Sequence, residues 1–235
     1  MKRFYKLVSV HEEPRGWAVQ LDGKPVKTPM RETLRAPNKN IANVVQQEWS
    51  AQEEEINPET MPLTQILSTH IDRVSAQRNE MSAAILKYLD TDLLCYRAPS
   101  DPPGPAEKQE EIWQPYLDWF GKRFGVKLET TSGLAALTQP EEAHKAVKDA
   151  VESMDDLHFT LLQLVVSGSG SLILGLAFME KAITPEEIMA AARVEENLKD
   201  EMYNAEFYGR DPLFEKKDAA LLQDLKAAAE ILKWL

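Results

Sequence analysis

The chain has 235 residues and carries 38 acidic against 27 basic side chains, a formal net charge of -11, which argues against nucleic acid or an anionic lipid surface as its partner. Hydrophobic residues make up 43% and charged residues 28%, the mixture of a folded globular protein with room for one large domain or two small ones. Cys95 is the single thiol, so an internal disulfide is excluded and a reducing compartment fits.

From the N-terminus, Arg3 to Val10 and Gly16 to Pro29 read as short β-rich runs, with Trp17, Val19 and Leu21 on one face at period two. Asp22-Gly23 predicts a hairpin turn, because both residues tolerate positive φ. No secretory leader or Arg-rich transit peptide is visible in these first residues, and the expectation is a bacterial cytoplasmic protein or a mitochondrial matrix protein already processed.

After Asn38 the period becomes helical, with Ile41, Val44, Val45 and Trp49 on one face. Pro58 and Pro62 punctuate the approach to two further stripes, one of Ile66, Leu67, Ile71 and Val74 and one of Met81, Ala84, Ile85, Tyr88 and Leu89. The reading is α+β: a small N-terminal antiparallel β domain with one helix over residues 1–60, then a larger C-terminal α-helical bundle over 61–235.

The proline-rich run Pro99 to Pro105 is a rigid connector. Beyond it Ile112, Trp113, Tyr116, Leu117, Phe120 and Phe124 form an aromatic helix face, read as core, with an interruption or restart expected at Pro115. Thr184-Pro185-Glu186-Glu187 has the form of a capping box and starts a helix expected to reach Glu206; a last helix is expected from about Phe214 to Trp234.

Leu157 to Met179 carries no formal charge and is long enough to cross a bilayer. Its centre, Ser167-Gly168-Ser169-Gly170-Ser171, reads instead as the break between two buried helices, so no stable membrane insertion is expected. These glycines match neither a dinucleotide fingerprint nor a P-loop. Glu141 and His144 have the spacing of half a carboxylate di-metal site, but the second half is absent and no metal or cofactor is expected. Ser68, Thr69, His70 and Asp72 radiate around one helix and cannot form a nucleophile relay by themselves, so no catalytic residue is assigned. Glu195, Glu196, Asp200 and Glu201 make an acidic helix patch, with Lys199 spaced to pair with Glu195.

Nine segments in order resemble one known family across nearly the whole chain. They are RFYK from Arg3, LDGKPVKTP from Leu21, EW at Glu48, INPETMPLTQI from Ile56, THIDRV from Thr69, DLLCYRA from Asp92, WQPYLDWF from Trp113, TSGL from Thr131 and GSLILGLA from Gly170. The chain resembles the assembly chaperones of the F-type ATP synthase alpha subunit, the ATP-twelve family. The resemblance implies a molecular chaperone, not an enzyme. It would bind the free alpha subunit and shield the surface destined for the beta subunit until beta replaces it.

In that family an acidic position in a C-terminal helix carries weight, within a Leu-Glu-Glu pattern followed by Trp-Gly. Val194-Glu195-Glu196 matches the acidic part, Tyr203-Asn204 stands where Trp-Gly is usual, Glu201 stands where Gln is common, and Asp211 keeps a later acidic position. The resemblance thus implies Glu195, Glu196, Glu201 and Asp211 as partner-binding residues, without choosing between Glu195 and Glu196. The residues alone leave two alternatives: a small helical hydrolase, which needs a pocket of converging acids and histidine, and a membrane-associated component.

Overall fold

The structure is a computed structural model describing residues 1–101, 103–202, 209 and 211–235. It divides into two compact units, one of Met1–Arg78, Asp156–Leu161 and Lys226–Leu235, the other of Asn79–Asp155 and Leu162–Leu225.

The first unit contains an antiparallel sheet of β1 (Val8–Glu13), β2 (Gly16–Leu21), β3 (Lys24–Pro25) and β4 (Arg35–Ala36). β2 is its centre, paired with β1 through Val8 to Leu21 and with β3 and β4 along its other edge. The expected turn forms, with φ of 48° at Asp22 and 80° at Gly23. The Asp22 carboxylate also accepts from the backbone N–H groups of Leu7 (2.8 Å) and Lys6 (3.1 Å), bonds that hold its pKa below the usual carboxylate range. Gly16, at φ 124°, is required twice over, because a Cβ there would meet Ala36 O at 2.4 Å. The period-two face of Val19 and Leu21 is buried as expected, but Ala18 on the opposite face is equally inaccessible. A central strand is covered on both sides, and alternation reveals only the bulkier one.

Helix α1 (Lys39–Ser50) starts at Asn38, whose side chain accepts from Ile41 N (3.0 Å), and buries Ile41, Ala42 and Val45. Glu48 then reaches to the start of α2 (Pro62–Thr69), accepting from Leu63 N (2.7 Å), Thr64 N (2.8 Å) and Thr64 Oγ1 (2.8 Å). Burial pushes the Glu48 carboxyl up, against those three bonds. A π-helical turn, His70–Val74, follows α2 and aims Asp72 at the sheet, where it accepts from Thr28 Oγ1 (2.6 Å) and Met30 N (3.0 Å). Asp72 is therefore the anchor of the turn that follows β3.

Helix α3 spans Ser75–Leu86. In the second unit the proline-rich connector leads to α4 (Pro105–Phe124), which Gly125 ends in the left-handed conformation at φ 72°. The interruption expected at Pro115 does not occur, and α4 runs through it. Pro115 and Glu111 both lie on the exposed face, where water serves the carbonyl that loses its donor. The expected stripe is the core: Trp113, Leu117 and Phe120 are buried, and Trp113 Nε1 donates to Ala191 O (2.8 Å).

Helix α5 spans Glu141–Glu152, α6 Asp156–Ser169 and α7 Leu172–Met179. The uncharged stretch from Leu157 to Met179 is thus two helices, broken where Gly170 turns to φ 74° and Ser171 caps α7 at Leu174 N (3.1 Å). No helix among the described residues is long and apolar enough to cross a membrane. Gly175 brings α7 onto the second half of α6, since a Cβ there would lie 2.7 Å from Val166 Cγ2 and 3.0 Å from Leu162 Cδ1.

The capping box at Thr184 and Glu187 opens α8 (Pro185–Ala192) as expected. The single helix expected onward to Glu206 is instead two: α8 ends at Arg193, with φ −119° and ψ 19°, and α9 follows over Val194–Met202. Residue 206 lies outside the described residues. The last helix, α10, spans Pro212–Lys233.

Candidate functional site

Two carboxylate environments stand out in the second unit. The first is Asp92 of DLLCYRA, which is fully buried. Its Oδ1 accepts from Leu94 N (3.1 Å), and its Oδ2 accepts from Leu172 N (2.7 Å) and Ile173 N (3.0 Å), the first two N–H groups of α7. One side chain therefore caps its own short turn and the start of a helix some eighty positions on, where orphan N–H groups and the helix dipole favour an anion. Burial nevertheless outweighs these bonds and raises the Asp92 carboxyl to about 6. Cys95 beside it is buried too; burial first, and the Asp92 charge second, push its thiol up to about 12.

The second environment is the acidic helix α9. Glu195 Oε1 accepts from Gln109 Nε2 (3.2 Å), and Gln109, fully buried on α4, uses its Oε1 to accept from Ala98 N (2.6 Å). The expected Glu195–Lys199 pair does not form among the described residues, because the buried Gln109 amide needs an acceptor and takes the carboxylate. Gln109 was not singled out by the sequence reading, although it lies one helical turn before Trp113 on the same stripe. A polar residue in phase with an apolar face is the signal that marks it.

Arg193, at the break between α8 and α9, donates from Nε to Asp218 Oδ1 on α10 (2.7 Å) and ties the two helices. Next to this pair lies a groove of about 460 Å³ lined by Glu196, Lys199, Asp200, Asp211, Phe214 and Lys217. Asp211 also starts α10, accepting from Leu213 N (2.8 Å). Phe214 is 54% exposed and Leu213 70%, so apolar surface stands beside the carboxylates. Glu196 has no ion-pair or hydrogen-bond partner among the described residues. Of the four implied residues, Glu196 and Asp211 thus share the groove, Glu195 faces Gln109 beside it, and Glu201 is exposed and outside its lining. Tyr203 and Asn204 lie outside the described residues.

Among the described residues no three His, Cys, Asp or Glu side chains gather as a metal site. His144 Nε2 lies 3.0 Å from Asp90 Oδ1, which also accepts from Gln139 N (2.8 Å), so the half-motif of Glu141 and His144 fastens a loop to the start of α5.

A small antiparallel sheet accompanied by a larger set of helices makes this an α+β protein, and its motif residues are spent largely on capping. The ATP12 chaperone protein model matches residues 2–121, and the chain belongs to that family, the chaperones of ATP synthase assembly. It is similar to Atp12 from Paracoccus denitrificans, with 34% identity, TM-score 0.86, and 99% of this chain and 97% of that one covered. A protein of Agrobacterium tumefaciens is 35% identical with TM-score 0.88, over 99% of this chain and 85% of the other. Mitochondrial atp12 of Schizosaccharomyces pombe is 24% identical over 83% of this chain and 70% of its own length.

Proposed function

We propose that this chaperone binds the free alpha subunit of the F-type ATP synthase, covers the surface destined for the beta subunit, and yields when beta arrives. It does so by holding a partner, without catalysing a reaction, in the bacterial cytoplasm or its mitochondrial equivalent. The observation that carries this reading is the α9 groove, where Glu196 and Asp211 stand beside exposed Phe214 and Leu213. An unpaired interface of an obligate oligomer is largely apolar, so its cover needs apolar contact to compete with aggregation. Carboxylates at the rim set register and encounter rate more than net affinity, which keeps the complex replaceable.

Glu195, Glu196, Glu201 and Asp211 are proposed as the contacts, with Glu196 and Asp211 central because they line one groove. The test is purified protein mixed with isolated alpha subunit. Capture, reduced light scattering on warming, and release on adding beta are expected; a protein that does none of these has another client. The double variant Glu196→Ala, Asp211→Asn is expected to weaken capture at least tenfold. Undiminished capture by it removes the groove from the interface.

A further inference from the structure

We propose that a second groove, between the C-terminal half of α4 and the segment 126–130, is a strand-addition site that takes an extended acidic peptide. The hydrogen bonds of this segment run to one side only. Glu129 donates its N–H to Gln139 Oε1 (2.8 Å) and accepts at its carbonyl from Gln139 Nε2 (3.0 Å). Thr131 donates to Cys95 O (2.9 Å) and accepts from Arg97 N (2.7 Å). In extended chain the N–H and C=O of one residue share a side and those of its neighbours face the opposite one. The backbone groups of Leu128 and Thr130 therefore face the other edge, where nothing among the described residues bonds them. An unpaired edge of this kind is a template for another chain in extended form.

That edge borders a groove of about 490 Å³ in which Leu117, Val126 and Leu128 supply apolar surface beside Lys122 and Lys127. This volume lies within the ~300–1,000 Å³ of ordinary binding clefts. The chemistry of the occupant follows from the charges. Lys122 and Lys127 are exposed and have no ion-pair partner among the described residues, a local excess of positive charge in a chain of net charge -11. The single carboxylate in the lining, Asp118, accepts from Gln114 Nε2 (2.8 Å). A strand with alternating apolar and acidic side chains would pair its backbone with Leu128 and Thr130 and lay carboxylates against the two ammonium groups. The site shares no lining residue with the α9 groove and does not depend on the identity of the client.

The probe is a capped, fluorescent peptide of alternating valine and glutamate, about six residues long to match a typical strand. It is compared by anisotropy with a valine–lysine counterpart and with a version N-methylated at its interior amides. Binding of the acidic peptide is expected to be at least tenfold tighter than that of the lysine peptide. N-methylation, which removes the ladder donors, and the double variant Lys122→Glu, Lys127→Glu should each weaken it at least tenfold, with an unchanged urea midpoint as the folding control. No binding of the acidic peptide, equal binding of the lysine or N-methylated peptide, or undiminished binding by the double variant overturns the proposal. The Glu196→Ala, Asp211→Asn variant is expected to bind the peptide normally, so failure of the client reading and failure of this one are separately visible.

Discussion

The carboxylate of Asp92 and those of α9 belong to one compact unit and to one chemical class, yet they perform opposite tasks. Asp92 is enclosed and accepts three backbone N–H bonds, two of them from the start of α7. Glu196 is open to a groove and accepts none among the described residues. The difference teaches where a family motif spends its chemistry. DLLCYRA is a structural device, whereas the carboxylates proposed as partner contacts lie on and beside α9.

The same holds in the first unit. Glu48 of the EW segment caps the helix inside INPETMPLTQI, and Asp72 of THIDRV caps the turn of LDGKPVKTP. Motifs distant in sequence are tied together in the fold because each supplies an acceptor to donors that another leaves orphaned.

The largest expected effect comes from breaking the Asp92 side of the comparison. Asp92→Ala leaves three buried N–H groups without an acceptor and should lower unfolding free energy by about 3 kcal/mol or more, read from the urea midpoint. Cys95 reports the same event. Held near 12 and buried, its thiol should resist a thiol reagent at pH 8 in the wild-type protein and react many times faster in the variant.

The pH response comes next. The folded pKa of Asp92, about 6, lies above the unfolded value of ~3.9, so the folded state holds this proton more tightly. The stabilisation linked to that proton is complete below about pH 4, is lost as pH rises through about 6, and changes no further above it; the loss is about 2–3 kcal/mol. Asp92→Asn has no proton to lose, so its stability profile should lack this fall. A profile parallel to wild type between pH 4 and 7 would show that the carboxyl titrates normally.

A smaller cost is expected for Gly175→Ala, about 1–3 kcal/mol, because the new methyl enters the van der Waals shell of Val166 and Leu162. A neutral result would mean that α7 shifts freely on α6. Smallest of all in stability is the α9 side. Glu196→Ala, Asp211→Asn should move the unfolding free energy by no more than about 0.5 kcal/mol, since Asn keeps an acceptor for Leu213 N while capture of the alpha subunit falls. A large destabilisation would erase the distinction between the two environments.

Local chemistry was legible in the residues themselves. The Asp22-Gly23 turn, the Thr184 cap, the aromatic stripe of α4 and the break at Gly170 follow from φ preferences, capping acceptors and apolar period, which act over a few positions. The α+β class followed from the change of period after Asn38. Tertiary structure alone decided the rest. Continuity of α4 through Pro115 depended on which face met water, and the bend at Arg193 accompanies its pairing with Asp218, twenty-five positions away. That Glu195 turns to Gln109, or that Asp92 serves α7, could not be read along the chain, because a side-chain acceptor is claimed by whichever unsatisfied donor folding brings within reach.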